Sequence, residues 1–278
     1  MEASGQDMTF LEHLEDLRWT LVRSAIAVVV GMVTAFLFIH DVFNWFIMGP
    51  TRADFITYRV MCKLGRTIGI GDAFCVSDMV FHLQSNTPQM EFMMSFSIAF
   101  TVGLIAASPV VIWQLWKFVA PGLKEKERNA VQGHVFFIML LFLLGTAFAY
   151  YVVAPMSIQF FGSYSLSEAI EKRPTVDSYV SLLNSFLLWT GLAFELPVIM
   201  VFLARIGLVG AAFLRQYRRH AIVGVLIVSA VITPPDVVSQ ILVSLPLLLL
   251  YEVSIFLTAR AERRQVAASA ATVPGPVR

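Results

Sequence analysis

Four stretches of this chain, 19–39, 92–116, 135–154 and 180–204, stay apolar for close to the roughly 20 residues that a helix needs to cross a hydrocarbon core of about 30 Å. A chain of 278 residues that is 58% hydrophobic and only 14% charged is too apolar to bury itself in one soluble core. The expected fold class is therefore an all-α membrane protein. Two further apolar stretches, 221–232 and 237–257, are separated only by Thr233, Pro234, Pro235 and Asp236, a turn signal that no helix continues through. They read as a helical hairpin with short fifth and sixth spans, the first of only about a dozen residues, so that it crosses incompletely or thins the bilayer beside it.

Orientation follows from Lys and Arg, which favour the cytoplasmic side. The amino-terminal end, the 117–133 and 205–219 loops and the carboxyl-terminal tail carry 14 of the 20 basic residues. Four of the other six, Arg52, Arg59, Lys63 and Arg66, lie in the long 40–91 segment, where the rule is weak. Six spans with both termini in the cytoplasm fit best. The acids Glu2, Asp7, Glu12, Glu15 and Asp16 precede Arg18, so the basic start of a cleaved signal peptide is missing and the amino terminus is expected to be retained. The net charge of +1 gives no case for nucleic acid.

The chain divides into an amphipathic helix over 1–18, a six-helix transmembrane domain over 19–259 that includes the outer loop 40–91, and a tail over 260–278 whose Ala, Val and Pro composition predicts disorder. Thr9 and Glu12 frame a capping box, and Phe10, Leu11, Leu14 and Leu17 repeat at helical spacing, which predicts a short helix along the cytoplasmic interface. The outer loop shows little hydrophobic periodicity and holds Cys62 and Cys75. In an oxidising compartment the two form a disulfide or remain two unpaired thiols.

Glu195 stands in the fourth span within Leu192-Ala193-Phe194-Glu195-Leu196-Pro197-Val198. A carboxylate at that depth costs a few kcal/mol unless neutralised, paired or wetted, which makes it a functional candidate; the bland alternative is a protonated side chain with one structural hydrogen bond. Pro197 removes the backbone donor to the Ala193 carbonyl, so a kink coincides with the acid. Glu252, Tyr150, Asn184 and Gln240 are less informative polar residues in the spans. Taken by themselves, Glu12, Glu15 and Asp16 read as a solvated acidic face, and Lys124 to Arg128 as an ordinary helix start after the Pro121-Gly122 turn. The sequence contains no His-Glu-x-x-His, Gly-rich phosphate loop, Gly-x-Ser-x-Gly or zinc-spaced Cys and His set, so neither a cofactor nor a metal is expected and the chain reads as a non-enzyme.

Taken together, the polar islands resemble one family: TatC, the multispanning receptor subunit of the twin-arginine protein translocase. The resemblance rests on His13-Leu14-Glu15-Asp16-Leu17-Arg18; on the run from Ser108-Pro109 through Trp113-Gln114-Leu115-Trp116-Lys117-Phe118 to Ala120-Pro121-Gly122-Leu123, closing with Lys126-Glu127-Arg128; on Ala147-Phe148-Ala149-Tyr150; on Phe194-Glu195-Leu196-Pro197; and on Thr233-Pro234-Pro235-Asp236 with Ser239-Gln240. Two departures stand out. Asp16 occupies the place where the family usually has Glu, with Glu15 beside it, and the 51–86 segment is longer than the family leads one to expect.

The resemblance implies a protein of the bacterial inner membrane that recognises folded cargo through a signal peptide with consecutive arginines, its transport driven by the proton-motive force. It also implies partnership with the single-span subunits TatB and TatA and with further copies of the chain. By that resemblance Glu127 and Asp16 or Glu15 receive the arginines, Phe118 shapes the site, and Arg128 and Arg18 belong to it. Glu195 and Pro197, with Gln240 and Tyr150, are implied contacts for a partner's transmembrane helix, and Pro234, Pro235 and Asp236 form an outer turn. Carboxylates suit this task because they accept the guanidinium fork bidentately, which Lys cannot reproduce. Two rival readings from the residues alone are a proton-coupled carrier of a small solute, against which stands the lack of an inverted repeat, and an intramembrane protease using His134 and a serine.

Overall fold

A bilayer offers no water to backbone N–H and C=O groups, so a chain this apolar satisfies them within helices. The computed structural model describes residues 10–69, 83–119, 132–164, 167, 173–205, 208–233 and 237–271. Among these the only β pairing is an isolated parallel bridge between Gln84 and Thr175.

The principal helices are α1 (Phe10–Leu37), α2 (Ile56–Ile68), α3 (Pro88–Val119), α4 (Gln132–Phe148), α5 (Ala154–Ser163), α6 (Val176–Ala193), α7 (Leu196–Arg205), α8 (Ala211–Gln216), α9 (Arg218–Ile232) and α10 (Val237–Ala271). Among the described residues five stretches are long and apolar enough to cross a membrane: Leu14–Leu37, Pro88–Phe118, Val135–Ser163, Val176–Ala204 and Ser239–Arg263. They contain, to within two residues at the end of the first and the start of the last, the four long expected spans and the sixth. The expected fifth, 221–232, lies in α9, whose 15 residues reach only about 22 Å, short of a full hydrocarbon core.

Three sequence expectations are modified. Of the helix expected over 1–18, residues 1–9 lie outside the described residues, and 10–18 form the start of α1, which runs unbroken into the first span. Residues 260–271 continue α10 rather than forming a disordered tail, because Ala, Arg, Glu and Gln are good helix formers; 272–278 lie outside the described residues. The outer segment, where little periodicity was visible, contains the 13-residue α2, closed by Gly69 in the left-handed region at φ 83°. Cys62 on α2 is disulfide-bonded, and Cys75 lies outside the described residues.

The chain forms two compact units, one of Met1–Phe46 with Ser85–Leu140 and the other of Ile47–Gln84 with Leu141–Arg278. In the first, α1 packs along α3. Lipid tails are as apolar as Leu, so association depends on close packing rather than on hiding apolar surface. Most of the buried positions are accordingly small, with Thr20, Ser24 and Ala35 on α1 and Ala99, Thr101, Ala107 and Ser108 on α3 around the one large buried side chain, Ile98, while Leu21, Ile26, Val29 and Val33 point outward.

In the second unit α10 packs against α7, α8 and α9. The Tyr251 hydroxyl donates to the Leu214 carbonyl at 2.8 Å, and Glu262 Oε1 accepts the Ala211 N–H at 2.8 Å, satisfying one free donor at the start of α8. Buried Ser157 and Ser239 share a hydrogen bond that ties α5 to α10. Between α4 and α5 the third span passes through a π-helical stretch, Ala149–Val153, where the chain adapts to the missing donor of Pro155. Onto this stretch fold residues 47–58. The Tyr58 hydroxyl lies 3.0 Å from the carbonyls of both Pro50 and Pro155, and the Tyr179 hydroxyl donates to the Ile47 carbonyl.

Candidate functional site

Gly31 on α1 and Gly103 on α3 meet backbone to backbone: a Cβ at Gly31 would stand 2.7 Å from the Gly103 carbonyl oxygen. Five residues further along α1, Phe36 stacks on Phe96 with ring centroids 4.9 Å apart, so the helices run antiparallel. Equal steps from the glycine contact, back along α1 and forward along α3, bring Asp16 and Phe118 to one level about 22 Å from the crossing. The phenylalanine pair gives the same register to within about half a turn.

That end of the pair carries Glu15, Asp16 and Arg18, all exposed, with the half-buried Phe118 beside exposed Lys117. The carboxylates sit in the second turn of α1, near the positive end of its dipole, which favours negative charge. Adjacent acids on a helix present oxygens along two directions about 100° apart, enough to meet two guanidinium groups in succession. Sequence reasoning missed Trp116, whose buried indole N–H has no hydrogen-bond partner among the described residues; only its place in the aromatic run hinted at it. Glu127 and Arg128 lie outside the described residues, as do Pro234, Pro235 and Asp236.

The second unit places Glu195 in a break of the fourth span. The Glu195 N–H turns back to the Leu192 carbonyl at 3.1 Å, and the Glu195 carbonyl receives the N–H groups of Val198 (3.0 Å) and Ile199 (3.1 Å), so α6 stops and α7 restarts at this residue. Pro197, in the first turn of α7, needs no donor there, which explains why the interruption falls just before it. Both carboxyl oxygens of Glu195 are shielded and make no hydrogen bond of good geometry among the described residues, although the peptide group of Phe142 lies within electrostatic reach.

Close helix approach holds this break in place. A Cβ at Gly191 would meet Thr146 Oγ1 at 2.7 Å, and one at Gly145 would meet Phe194 Cγ at 2.7 Å. Across the same seam Thr146 Oγ1 donates to the Leu187 carbonyl at 3.4 Å, and Phe148 packs on Phe194 at 5.7 Å. Tyr150 and Gln240 serve other contacts. The buried Tyr150 ring meets Phe55 edge-on at 5.5 Å, and Gln240 Nε2 donates to the Leu226 carbonyl at 3.2 Å, joining α10 to α9.

The family model described as "TatC: Sec-independent protein translocase protein (TatC)" matches residues 12–246. The chain is 31% identical over 259 residues to the Sec-independent protein translocase protein TatC of Blattabacterium sp. subsp. Periplaneta americana, covering 93% of this chain and 97% of that one. It is 37% identical over 254 residues to TatC of Carboxydothermus hydrogenoformans, covering 90% and 92%. It is also similar to a solved crystal structure of the twin arginine translocase receptor TatC in DDM, with a TM-score of 0.70 and 31% identity over 89% of this chain and 99% of that one. With the family's match spanning both the acidic start of α1 and the broken fourth span, this multispanning membrane protein belongs to the TatC family of Sec-independent protein translocase proteins.

Proposed function

We propose that the chain is the signal-peptide receptor and core membrane subunit of a twin-arginine translocase, binding the paired arginines of folded cargo at the Asp16 end of α1. The observation that carries this reading is the register of α1 on α3, which sets Glu15, Asp16 and Arg18 level with Phe118 and hence beside the chain that leads on to Glu127 and Arg128. Asp16 or Glu15 and Glu127 receive the guanidinium groups, Phe118 provides an apolar wall, and Arg18 and Arg128 restrain the acids. Transport draws on the proton-motive force and needs no covalent chemistry from this chain.

The same reading assigns six spans, with α9 as a short fifth, and places both termini in the cytoplasm of a bacterial inner-membrane protein. Residues 10–18 lie at the cytoplasmic interface, and 40–91 lies outside, where a Cys62–Cys75 bridge holds α2 in an oxidising compartment. Glu195, beside the break made by Pro197, offers a polar contact to a transmembrane helix of TatA or TatB or to the inserting signal peptide, a role suited to a carboxyl whose shielded oxygens make no hydrogen bond of good geometry among the described residues. Tyr150 and Gln240 support the helices around it. Further copies of the chain complete the receptor complex.

The test is site-specific crosslinking of a twin-arginine signal peptide and its Lys-Lys variant to membranes containing the full chain. Contacts near 10–20 and 118–128 that disappear with Lys-Lys or with Glu127→Ala support the receptor reading. Crosslinks indifferent to all of these changes in a folded protein refute it.

A further inference from the structure

Helix α2 divides its circumference into three arcs. At about 100° per residue, Tyr58, Cys62 and Gly65 share one side, and it is the side turned to the protein, with Tyr58 and Gly65 buried and Cys62 half-buried. Ile56, Val60 and Leu64 share a second arc and are 53%, 50% and 53% exposed, although all three are aliphatic. Arg59 and Lys63 lie on the third, next to the aliphatic one, and both are exposed. There is no acid anywhere in the helix. Arg66 extends the basic arc and has an interaction of its own.

The level of α2 along the third span completes the picture. Thr57 Oγ1 donates to the Tyr151 carbonyl and the Tyr58 hydroxyl reaches that of Pro155. The span begins at Val135, and about 20 residues cross a hydrocarbon core, so these contacts fall at its edge. Phe55 and Tyr151 stack there at 5.7 Å, at the depth where amphipathic rings gather in membrane proteins. A cleft of about 450 Å³ opens at the same place, lined by Arg59, Lys63 and Arg66 together with Ala53, Tyr58, Cys62 and Thr67. The Arg59 Nε donates to the Asp54 carbonyl at 2.6 Å, which anchors the guanidinium; among the described residues neither Arg59 nor Lys63 makes an ion pair.

An exposed aliphatic arc beside a basic one, lying at the hydrocarbon edge, is what a helix in the plane of a membrane surface requires. We propose that α2 is an interfacial helix whose Arg59 and Lys63 hold the phosphate of an anionic phospholipid while Ile56, Val60 and Leu64 sink among the upper acyl carbons. The cleft admits one headgroup, and the adjacent aliphatic arc favours a lipid over a free anion. This inference needs only the third span to cross the membrane, so it stands or falls apart from signal-peptide recognition.

The full chain, purified in neutral detergent and titrated with equal amounts of phosphatidylglycerol and phosphatidylcholine, is read by native mass spectrometry. The wild type retains phosphatidylglycerol preferentially. With about fivefold expected for each basic residue at a membrane surface, Lys63→Gln loses roughly fivefold in that affinity and Arg59→Gln/Lys63→Gln about twenty-five-fold, phosphatidylcholine binding being unchanged. Lys63 has no side-chain partner among the described residues, so its single variant keeps the test valid if the Arg59 change perturbs folding. A photoreactive residue at Leu64 labels lipid. Unchanged phosphatidylglycerol affinity in both variants, displacement of the lipid by millimolar inorganic phosphate, or labelling of a protein at Leu64 instead would each overturn the proposal.

Discussion

Gly31 and Gly103 touch through their main chains, and no side chain stands between α1 and α3 at that point. A Cβ at Gly103 would lie 2.7 Å from the Met32 Cα, a backbone atom that cannot rotate away. Gly103→Ala should therefore push the helices apart and cost about 1–3 kcal/mol, as overpacking of a tight contact does. Thermal unfolding of the purified variant in detergent measures this. A melting temperature equal to the wild type's would mean that the crossing has slack.

The seam between α4 and α6 has a flexible side chain where the α1–α3 crossing has only backbone. Gly191→Ala should destabilise by about 1–3 kcal/mol because the new methyl meets Thr146 Oγ1. Thr146→Ala removes that oxygen, at the cost of its 3.4 Å hydrogen bond to Leu187. The double variant should be more stable than the sum of the single effects predicts, with a coupling of about 1 kcal/mol, readable from a double-mutant cycle. Strict additivity would place the clash elsewhere.

Replacing Glu195 with Leu removes two shielded oxygens that lack hydrogen bonds among the described residues. An apolar residue of similar size at such a site is often neutral or stabilising by about 1–3 kcal/mol. The expected outcome is an unchanged or higher melting temperature together with reduced export of a twin-arginine reporter. A fall in both would identify the carboxyl as structural.

Burial holds the Tyr58 hydroxyl above its ordinary pKa of 10.0. The folded state thus resists ionisation more than the unfolded chain does. Its contribution is complete below about pH 10, where tyrosine in the unfolded chain begins to ionise, and is lost as pH rises. Tyr58→Phe also leaves the Pro50 and Pro155 carbonyls without this donor, so it should cost about 1–3 kcal/mol at pH 7 and flatten the alkaline loss of stability. Melting curves between pH 7 and pH 11 distinguish the two effects.

The long spans were legible because a run of apolar residues carries its own meaning, and the break at Glu195 was legible because Pro197 cannot donate a hydrogen bond wherever it lies. Helix α2 was obscure for the opposite reason. Its protein-facing side is built from Tyr58, Cys62 and Gly65 while its aliphatic residues face out, so the usual stripe of inward Leu and Val is absent. Nor could Gly31 announce Gly103, since a glycine in an apolar run does not say which helix it admits. Of the residues proposed to receive arginine, the acids of α1 were visible as charges in an apolar chain, but their alignment with Phe118 depends on that glycine contact, a distance no sequence spacing contains.

Helix α10 has 35 residues, yet its membrane-compatible stretch ends at Arg263. The last eight residues therefore extend the rod by up to about 12 Å beyond it. A fluorophore attached at Ala271 would be carried on a stiff arm, so its distance to a donor on bound cargo would report the tilt of the final span rather than the wandering of a tether.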